Sequence, residues 1–418
     1  MAEHRGPLIT TEQAAQRLGV KPATLYAYVS RGLLVSIRGA DGRTSLFDPD
    51  EVDRLITRPR RGRTPRSAAF TVHTRLTDVR DGRLLYRGVD ACTLAGIQPI
   101  EAVARWLWTG SLDDAPFVAP VHTVELARRL ATALPRARTV DRIRTVIAAV
   151  AATDPLRADL RPDAVAATAG GLLAAVVDGL PERHEQRADS ARLASRLWSK
   201  LAPDAPPPGS VAALDAALVL LADHDLGPST LAARIAASAR AHPYAVVAAG
   251  LATLDGPRHS GSSTAIHRAL TDAEREGSGT VLSRLLSEGR RLPGFGHLRY
   301  PQGDPRGRAL LDRLATTPPD RSRWDLVAEF LATSARGTPV PPNIDFALAA
   351  LSFTSGMDAD AGEAVFALAR TTGWIAHALE EYAEEPDRFR PQSVYFGPDP
   401  VAPVDAATPA GPVVPDHP

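Results

Sequence analysis

LPGFGHLRYPQGDPR at residues 292–306 is a Gly/Pro-rich break in Ala-rich, helix-forming surroundings. Two similar breaks precede it, HDLGPST at 224–230 and GPRHSGSS at 256–263. The polar side chains that mark these breaks are His224, His259, His297 and Arg306. Because glycine and proline end helices, we expect these side chains at helix ends, where they are available for chemistry.

The composition indicates a large globular chain. It has 418 residues, 44% of them hydrophobic, which is enough for two or more domains. The apolar run Ala164–Val177 is short and closed by Asp178, so it predicts a buried helix and no membrane span. The polar start MAEHRGPLIT lacks an apolar signal region, and the single cysteine, Cys92, has no disulfide partner. We therefore expect a cytoplasmic protein.

Charge is unevenly distributed along the chain. Residues 1–66 contain twelve Lys/Arg against seven Asp/Glu, about +5, and the other 352 residues contain 36 against 41, about −5. A basic segment on a neutral chain favours a nucleic-acid contact through residues 1–66.

The N-terminal segment predicts helix, helix, hairpin, helix. Thr10 or Thr11 caps the first helix, and Pro22 suits the first turn of the second. Alternating residues around Asp41-Gly42 predict a hairpin. Asp48 then caps a third helix that runs through Ile56.

This order resembles the winged helix-turn-helix of the MerR/excisionase type over residues 8–57. The resemblance implies that the second helix, Pro22–Ser30, enters the major groove and that the wing touches phosphates. The implied DNA contacts are Lys21, Thr24, Tyr26, Arg31, Arg38 and Arg43. A packing or dimerisation appendage is the alternative. We assign a domain to 1–57 and an Arg/Pro-rich linker to 58–69.

The rest of the chain predicts a mostly helical body. A second hairpin turns at Asp81-Gly82, and Ala/Leu/Val/Arg-rich segments with helical spacing then predict a dozen or more helices. Residues 398–418 are Pro-rich without periodicity, which predicts a disordered tail.

Familiar cofactor and metal motifs are missing from the sequence. It contains no Walker loop, no CxxC and no HExxH. His224, His259 and His297 are separated by 35 and 38 residues, which matches no local zinc spacing. We expect no metal site.

Five motifs occur in the order seen in the citrate synthase family, which includes the 2-methylcitrate synthases. They are LLYRG (84–88), GPRHSG (256–261), LPGFGH...DPR (292–306), PPNIDF (341–346) and ARTTGWIAHALE (369–380). The resemblance spans about residues 70–397. It implies a mainly α, two-domain body behind the helix-turn-helix domain, with a large domain at 70–225 and 338–397 and a small domain at about 226–337.

The resemblance also implies roles for single residues. Asp345 matches the base that takes a proton from the acyl-CoA, His259 the donor that stabilises the enol or enolate, and His297 the group that polarises the ketone of oxaloacetate. The implied oxaloacetate contacts are His224, Arg306, Arg370 and Arg390, and arginine suits a dicarboxylate because its planar fork matches a carboxylate. The implied CoA contacts are Leu292, Pro293, Gly294, Phe295 and Gly296. A homodimer is implied, with Arg390 reaching the partner's site.

The motif around His259 departs from the family pattern. Ser260 replaces a glycine, Ser263 an asparagine and Arg258 a leucine. These changes leave open which acyl chain the enzyme accepts. We expect Ser262 and Ser263 to cap a helix through Arg275, which places His259 near its amino terminus.

Two functions remain open at this point. The first is an acyl-CoA:oxaloacetate C-acyltransferase of the tricarboxylic acid cycle type, with the CoA thioester as substrate and no permanently bound cofactor. The alternative is a DNA-binding regulator whose citrate synthase-like body senses a metabolite.

Overall fold

The chain forms two compact units, Met1–His73 and Thr74–Pro418. The computed structural model describes residues 8–18, 20, 22–30, 34–39, 44–49, 51–52, 72–185, 191–256, 261–287 and 292–389. These residues form seventeen helices and two small sheets, which confirms the mainly helical prediction.

The first unit is a helix pair beside a three-stranded sheet. Its elements are β1 (Ile9–Thr10), α1 (Thr11–Arg17), α2 (Pro22–Ser30), β2 (Ile37–Arg38) and β3 (Ser45–Phe47). The sheet is antiparallel in the order β1-β3-β2. Its core consists of Ala14, Leu25, Leu34, Phe47 and Val52.

The local predictions for this unit are largely confirmed. Thr10 is the cap of α1, and its side chain accepts from the Gln13 N–H while the Gln13 side chain accepts from the Thr10 N–H. Strands β2 and β3 form the predicted hairpin, although its turn at 40–43 lies outside the described residues. Of the third predicted helix, residues 49, 51 and 52 are described, and they are helical.

The second unit opens with a β-meander. Strands β4 (Thr77–Arg80), β5 (Arg83–Tyr86) and β6 (Val89–Asp90) are antiparallel in chain order. Asp81 and Gly82 have φ values of 52° and 71°, the left-handed conformations that a two-residue turn of this type requires. The predicted Asp81-Gly82 hairpin is therefore confirmed.

Fifteen helices complete the described part of this unit. They are α3 (Ala91–Ile97), α4 (Ile100–Thr109), α5 (Val121–Thr132), α6 (Thr139–Thr153), α7 (Pro162–Gly179), α8 (Leu193–Leu201), α9 (Ser210–Leu221), α10 (Pro228–Ser238), α11 (Pro243–Leu254), α12 (Ser262–Glu276), α13 (Ser278–Ser287), α14 (Pro305–Thr316), α15 (Arg321–Gly337), α16 (Ile344–Thr354) and α17 (Ala361–Tyr382).

Helix α17 is the centre of the core. Nearly all of its residues are buried, and it packs against helices on several sides, most extensively against α10 and α11. A helix that is buried all round must take its polar side chains inside with it, so those side chains need partners. Arg370, His377 and Glu381 are three such residues. No helix in the described ranges is long and apolar enough to cross a membrane.

Candidate active site

Two histidines and a tyrosine meet where the end of α9 faces the loop before α14. The ring centroids of His224 and His297 are 5.1 Å apart. The ring of Tyr300 lies 4.9 Å from that of His297 and 5.5 Å from that of His224. His224 Nε2 and the Tyr300 hydroxyl are 2.9 Å apart, a hydrogen-bond distance. Folding therefore brings together two predicted site residues from distant parts of the chain.

Arg306 lies beside this ring cluster, in the first turn of α14. It is 2% exposed, and its guanidinium carbon lies 5.6 Å from the centroid of the Tyr300 ring. Two bonds join it to Asp304, from Nε to Oδ1 at 3.0 Å and from Nη2 to Oδ2 at 2.9 Å. Asp304 also caps α14 and accepts from the Ile344 N–H at 3.1 Å. One carboxylate thus fixes both Arg306 and the start of α16.

Arg370 approaches the same place from the middle of α17. It is 3% exposed, its Nε donates to the Leu221 carbonyl at 2.9 Å, and its guanidinium carbon lies 4.6 Å from the centroid of the Phe366 ring. No hydrogen bond within the described residues involves either of its Nη nitrogens. Arg370 therefore has donors left with which to bind a carboxylate.

The two histidines are neutral at pH 7. Burial lowers the pKa of His297 to about 4, and the positive charge of Arg306 acts in the same direction. Burial, with help from Arg306 and Arg370, also holds the pKa of His224 well below its ordinary value. The Arg299 N–H donates to His297 Nδ1 at 3.2 Å. A neutral ring that accepts at Nδ1 carries its proton on Nε2, so His297 presents an Nε2–H donor.

Asp345 is the second residue of α16. Asn343 caps this helix by accepting from the Asp345 N–H at 2.9 Å and from the Phe346 N–H at 3.4 Å. Burial raises the pKa of Asp345 to about 6, while Arg306 and Arg370 oppose that rise and Asp304 adds to it. Asp345 is thus a carboxylate at neutral pH that gains a proton more readily than an exposed one.

The predicted CoA loop, Leu292–Gly296, is tied to the segment before α16. Gly294 and Gly296 both have a φ of 75°, a conformation that favours glycine. The Asn343 N–H donates to the Gly294 carbonyl at 2.9 Å, the Gly296 N–H donates to the Pro341 carbonyl at 2.8 Å, and Asn343 Nδ2 donates to the Gly296 carbonyl at 2.8 Å. This loop and Asp345 are therefore held by the same asparagine.

A narrow cleft opens in front of Asp345. Its lining includes Val140, Leu254, Gly261, Ser263 and Phe366. Gly261, with a φ of 97°, is the cap residue of α12, and no side chain among the described residues caps that helix. The prediction that Ser262 and Ser263 are caps is therefore wrong: the chain enters α12 through a left-handed glycine, and both serines already belong to the helix.

Several predicted residues lie outside the described residues. These are His259, Arg258, Ser260, Arg390, Lys21, Arg31 and Arg43. Among the predicted DNA contacts that are described, Thr24 and Tyr26 are exposed on α2, and Arg38 is exposed at the end of β2.

Comparison with known proteins identifies the second unit. Residues 67–392 match the family model described as citrate synthase, C-terminal domain. The chain belongs to the citrate synthase family. Residues 8–60 match a helix-turn-helix domain model, so this citrate synthase homologue carries the predicted N-terminal helix-turn-helix domain. Family membership makes the chain an enzyme of the citrate synthase type.

Relatives with two family activities are similar to the chain. It is 29% identical over 351 residues to citrate synthase 2 of Bacillus subtilis, which covers 78% of this chain and 93% of that protein. It is 29% identical over 336 residues to a 2-methylcitrate synthase of Mycobacterium tuberculosis, which covers 75% of this chain and 84% of that protein.

Solved citrate synthase structures share the fold. The enzyme of Pyrobaculum aerophilum has a TM-score of 0.67 at 24% identity and covers 81% of this chain and 93% of its own. The enzyme of Thermoplasma acidophilum, solved as a ternary complex with carboxymethyl-CoA and oxaloacetate, has a TM-score of 0.65 at 22% identity and covers 81% of this chain and 97% of its own.

Three residues at the site of this citrate synthase homologue escaped the sequence analysis: Tyr300, Asp304 and Asn343. Asp304 precedes a proline and Asn343 follows two, which are recognisable capping signals. Neither signal says that these caps also hold Arg306 and the Gly294–Gly296 turn. Tyr300 had no local signal beyond its position three residues after His297.

Proposed function

We propose that the chain condenses a short acyl-CoA with oxaloacetate and releases free CoA together with citrate or a 2-alkyl homologue. The observation that supports this most directly is that the site has two chemically different ends, one suited to a dicarboxylate and the other to proton abstraction. Neutral histidines lie beside two buried arginines at one end, and a carboxylate with a pKa of about 6 lies in a narrow cleft at the other.

Asp345 acts as the general base in this proposal. Abstracting a proton from the carbon next to a thioester is difficult, and a base works best when its pKa lies near the working pH. A pKa of about 6 meets that condition while leaving the group ionised at pH 7. His259, which the family motif assigns as the donor, stabilises the negative charge that grows on the thioester oxygen.

The other substrate binds at the arginine end. Arg306 and Arg370 bind the carboxylates of oxaloacetate, with His224 as a further contact, and the Nε2–H of His297 donates to its ketone oxygen. The enol carbon of the acyl-CoA attacks the ketone carbon, a carbon–carbon bond forms, and the ketone oxygen takes a proton to become a hydroxyl. Water then cleaves the thioester, which gives the new carboxylate and the CoA thiol.

Thiol release in the presence of oxaloacetate tests the proposal. Purified protein is incubated with acetyl-CoA, propionyl-CoA and butyryl-CoA, each with and without oxaloacetate, and free CoA is measured. We expect oxaloacetate-dependent release with acetyl-CoA, propionyl-CoA or both. The Asp345→Asn variant should lower kcat about 10³-fold, because it removes the base. Folded protein that releases no thiol with any of the three would contradict the proposal.

We further propose that the enzyme is a homodimer in which Arg390 completes the partner's site. Family resemblance supports this assignment. A mixing experiment tests it: Asp345→Asn and Arg390→Ala subunits are each nearly inactive alone, but a mixed dimer has one site with neither change. We expect co-refolded subunits to recover about a quarter of the wild-type activity. No recovery in a sample that contains mixed dimers would show that Arg390 serves its own subunit.

A second activity, DNA binding through the first unit, is supported by the helix-turn-helix match and by the exposure of Thr24 and Tyr26 on α2. Phosphate contacts make affinity fall steeply with salt. We expect the intact protein to bind duplex DNA at low salt, with log affinity falling linearly with log salt. If the protein binds no DNA at low salt, the first unit serves in packing or dimerisation instead.

We place the enzyme in the cytoplasm, where its single cysteine stays reduced.

A further inference from the structure

A line of buried polar contacts starts at the residue before His224. Asp223 is fully buried, and its backbone is held by Tyr86, whose hydroxyl accepts from the Asp223 N–H at 3.2 Å. Asp223 Oδ2 accepts a hydrogen bond from Thr77 and lies 3.0 Å from His377 Nε2. Gly373 permits this packing, because a Cβ there would lie 2.5 Å from the Ala222 carbonyl oxygen and from Asp223 Oδ1. The position of His224 therefore depends on α17.

The line continues from His377 to Arg234. Arg234 is 1% exposed, and its Nη1 lies 2.5 Å from His377 Nδ1. Arginine is always a donor, so Nδ1 accepts and the His377 proton lies on Nε2, where it is donated to Asp223. The same guanidinium donates to Glu380 Oε2 at 2.8 Å and, through Nε, to Glu381 Oε1.

Glu381 links Arg234 to Arg388, near the end of the described residues. Glu381 is fully buried and lies between two cations, since it accepts from Arg234 and also from both Nε and Nη2 of Arg388. Arg388 is partly exposed and stands two residues before Arg390. The contacts thus join, without a gap, the loop that presents His224 to the segment that leads to Arg390.

Stability alone gives no good reason for such a line. Desolvating ion pairs is costly, and replacing a buried ion pair by apolar side chains of similar volume is often neutral or stabilising. Arg234 and Glu381 lie on the buried faces of α10 and α17, where aliphatic residues would also pack. Unlike apolar side chains, these polar groups fix one another's orientation, because each hydrogen bond sets the direction of the next group.

We propose that Glu381 is a positioning residue for oxaloacetate binding. Arg388 holds it on one side, and through Arg234, His377 and Asp223 it orients the His224 loop on the other, so the His224 contact to oxaloacetate depends on one buried carboxylate. This inference rests on the proposed function.

Arg388→Gln is the first test, because it removes a partly exposed partner of Glu381 and leaves the Arg234–Glu381 pair in place. We expect the KM for oxaloacetate to rise about 3- to 30-fold, the range seen for residues that act through others. The KM for the acyl-CoA should stay unchanged, and Arg388→Lys should restore part of the loss. Arg183→Gln is the matched control, since Arg183 is also ion-paired, to Asp358, and is 36% exposed against 28% for Arg388.

Glu381→Gln tests whether the contacts act as one line. In the Glu381→Gln background, adding Arg388→Gln should not raise the KM for oxaloacetate further, because the link is already broken. Additive effects would overturn the proposal, as would an unchanged KM in Arg388→Gln or parallel losses in both KM values and in melting temperature. Wild-type protein without thiol release would instead contradict the proposed function. Calorimetric titration with oxaloacetate would then test Arg388→Gln by affinity alone.

Discussion

Asp304 and Asp345 are two carboxylates near the same buried cation, Arg306, and their pKa values move in opposite directions. Burial favours the neutral form of each. At Asp304 the positive charge of Arg306, its two side-chain hydrogen bonds and the bond from the Ile344 N–H outweigh burial and hold the pKa below its ordinary value. At Asp345 burial prevails and the pKa rises to about 6. The difference lies in the charge of Arg306, which contacts Asp304 directly, and in the hydrogen bonds that Asp304 alone receives.

This contrast supports the proposed division of roles between the two carboxylates. Within the described residues, no hydrogen-bond donor reaches the Asp345 carboxylate, whereas Asp304 accepts four hydrogen bonds, three from Arg306 and one from the Ile344 N–H. Asp304 is thus held as a structural anchor, while Asp345 lies in the cleft without such bonds, as its proposed role of base requires. Titratable groups whose surroundings push their pKa values apart are the general signature of divided acid–base roles.

Asp304→Asn should have the largest effect on stability. The change leaves Arg306 buried without its countercharge, which typically costs about 3–5 kcal/mol in the free energy of unfolding. Urea denaturation at pH 7 measures this loss. Arg321→Gln, which breaks an exposed ion pair with Asp325, should change stability by less than about 1 kcal/mol. Equal losses in the two variants would refute the anchor role of Asp304.

Asp345→Asn should stabilise the protein while abolishing turnover. The pKa of Asp345 rises from 3.8 to about 6 on folding, so the folded state binds its proton more tightly than the unfolded chain. Stability from this group is full below pH 3.8 and is lost as pH rises to about 6. At pH 7 the neutral amide should therefore gain up to about 3 kcal/mol. Denaturation at pH 7 and at pH 3.5 checks the sign, since the gain should vanish at the lower pH.

The pH–rate profile should show the same group in turnover. A base must be ionised, so kcat/KM for the acyl-CoA should fall about tenfold for each pH unit below about 6. His297, with a pKa of about 4, stays mostly neutral above pH 5 and therefore causes no change in rate near pH 6. Measurements from pH 5 to 8 in constant ionic strength suffice. A profile that is flat down to pH 5 would exclude Asp345 as the base.

The sequence predicted those parts of the fold that depend on local patterns. The Asp81-Gly82 turn follows from turn chemistry, and α7 follows from the Ala-rich apolar run Ala164–Val177. The Ser262–Ser263 caps were wrong, because serine and glycine both suit a helix start and only backbone geometry chooses between them. Local propensity decides element type better than element ends.

Contacts between distant segments could not be predicted in this way. Asp304 meets the Ile344 N–H across 40 residues, and His224 meets Tyr300 across 76. Composition and spacing carry no information about such pairs. Family resemblance supplied the reacting groups, but it named neither Asp304 nor Tyr300, whose partners become evident only when α14, α16 and the end of α9 come together.

Tyr300→Phe should have the smallest effect and separates the two ends of the site. The ring stays beside Arg306, but His224 Nε2 loses the hydroxyl that lies 2.9 Å away. Losing one such bond typically costs about 0.5–1.5 kcal/mol, so the KM for oxaloacetate should rise about threefold to tenfold. Tyr244→Phe is the control, since the Tyr244 hydroxyl donates to Asp154 at 2.8 Å and neither residue belongs to the ring cluster. The pH limb near 6 should be unmoved in both variants, because Asp345 lies at the other end; a shifted limb in Tyr300→Phe alone would mean that the two ends are coupled.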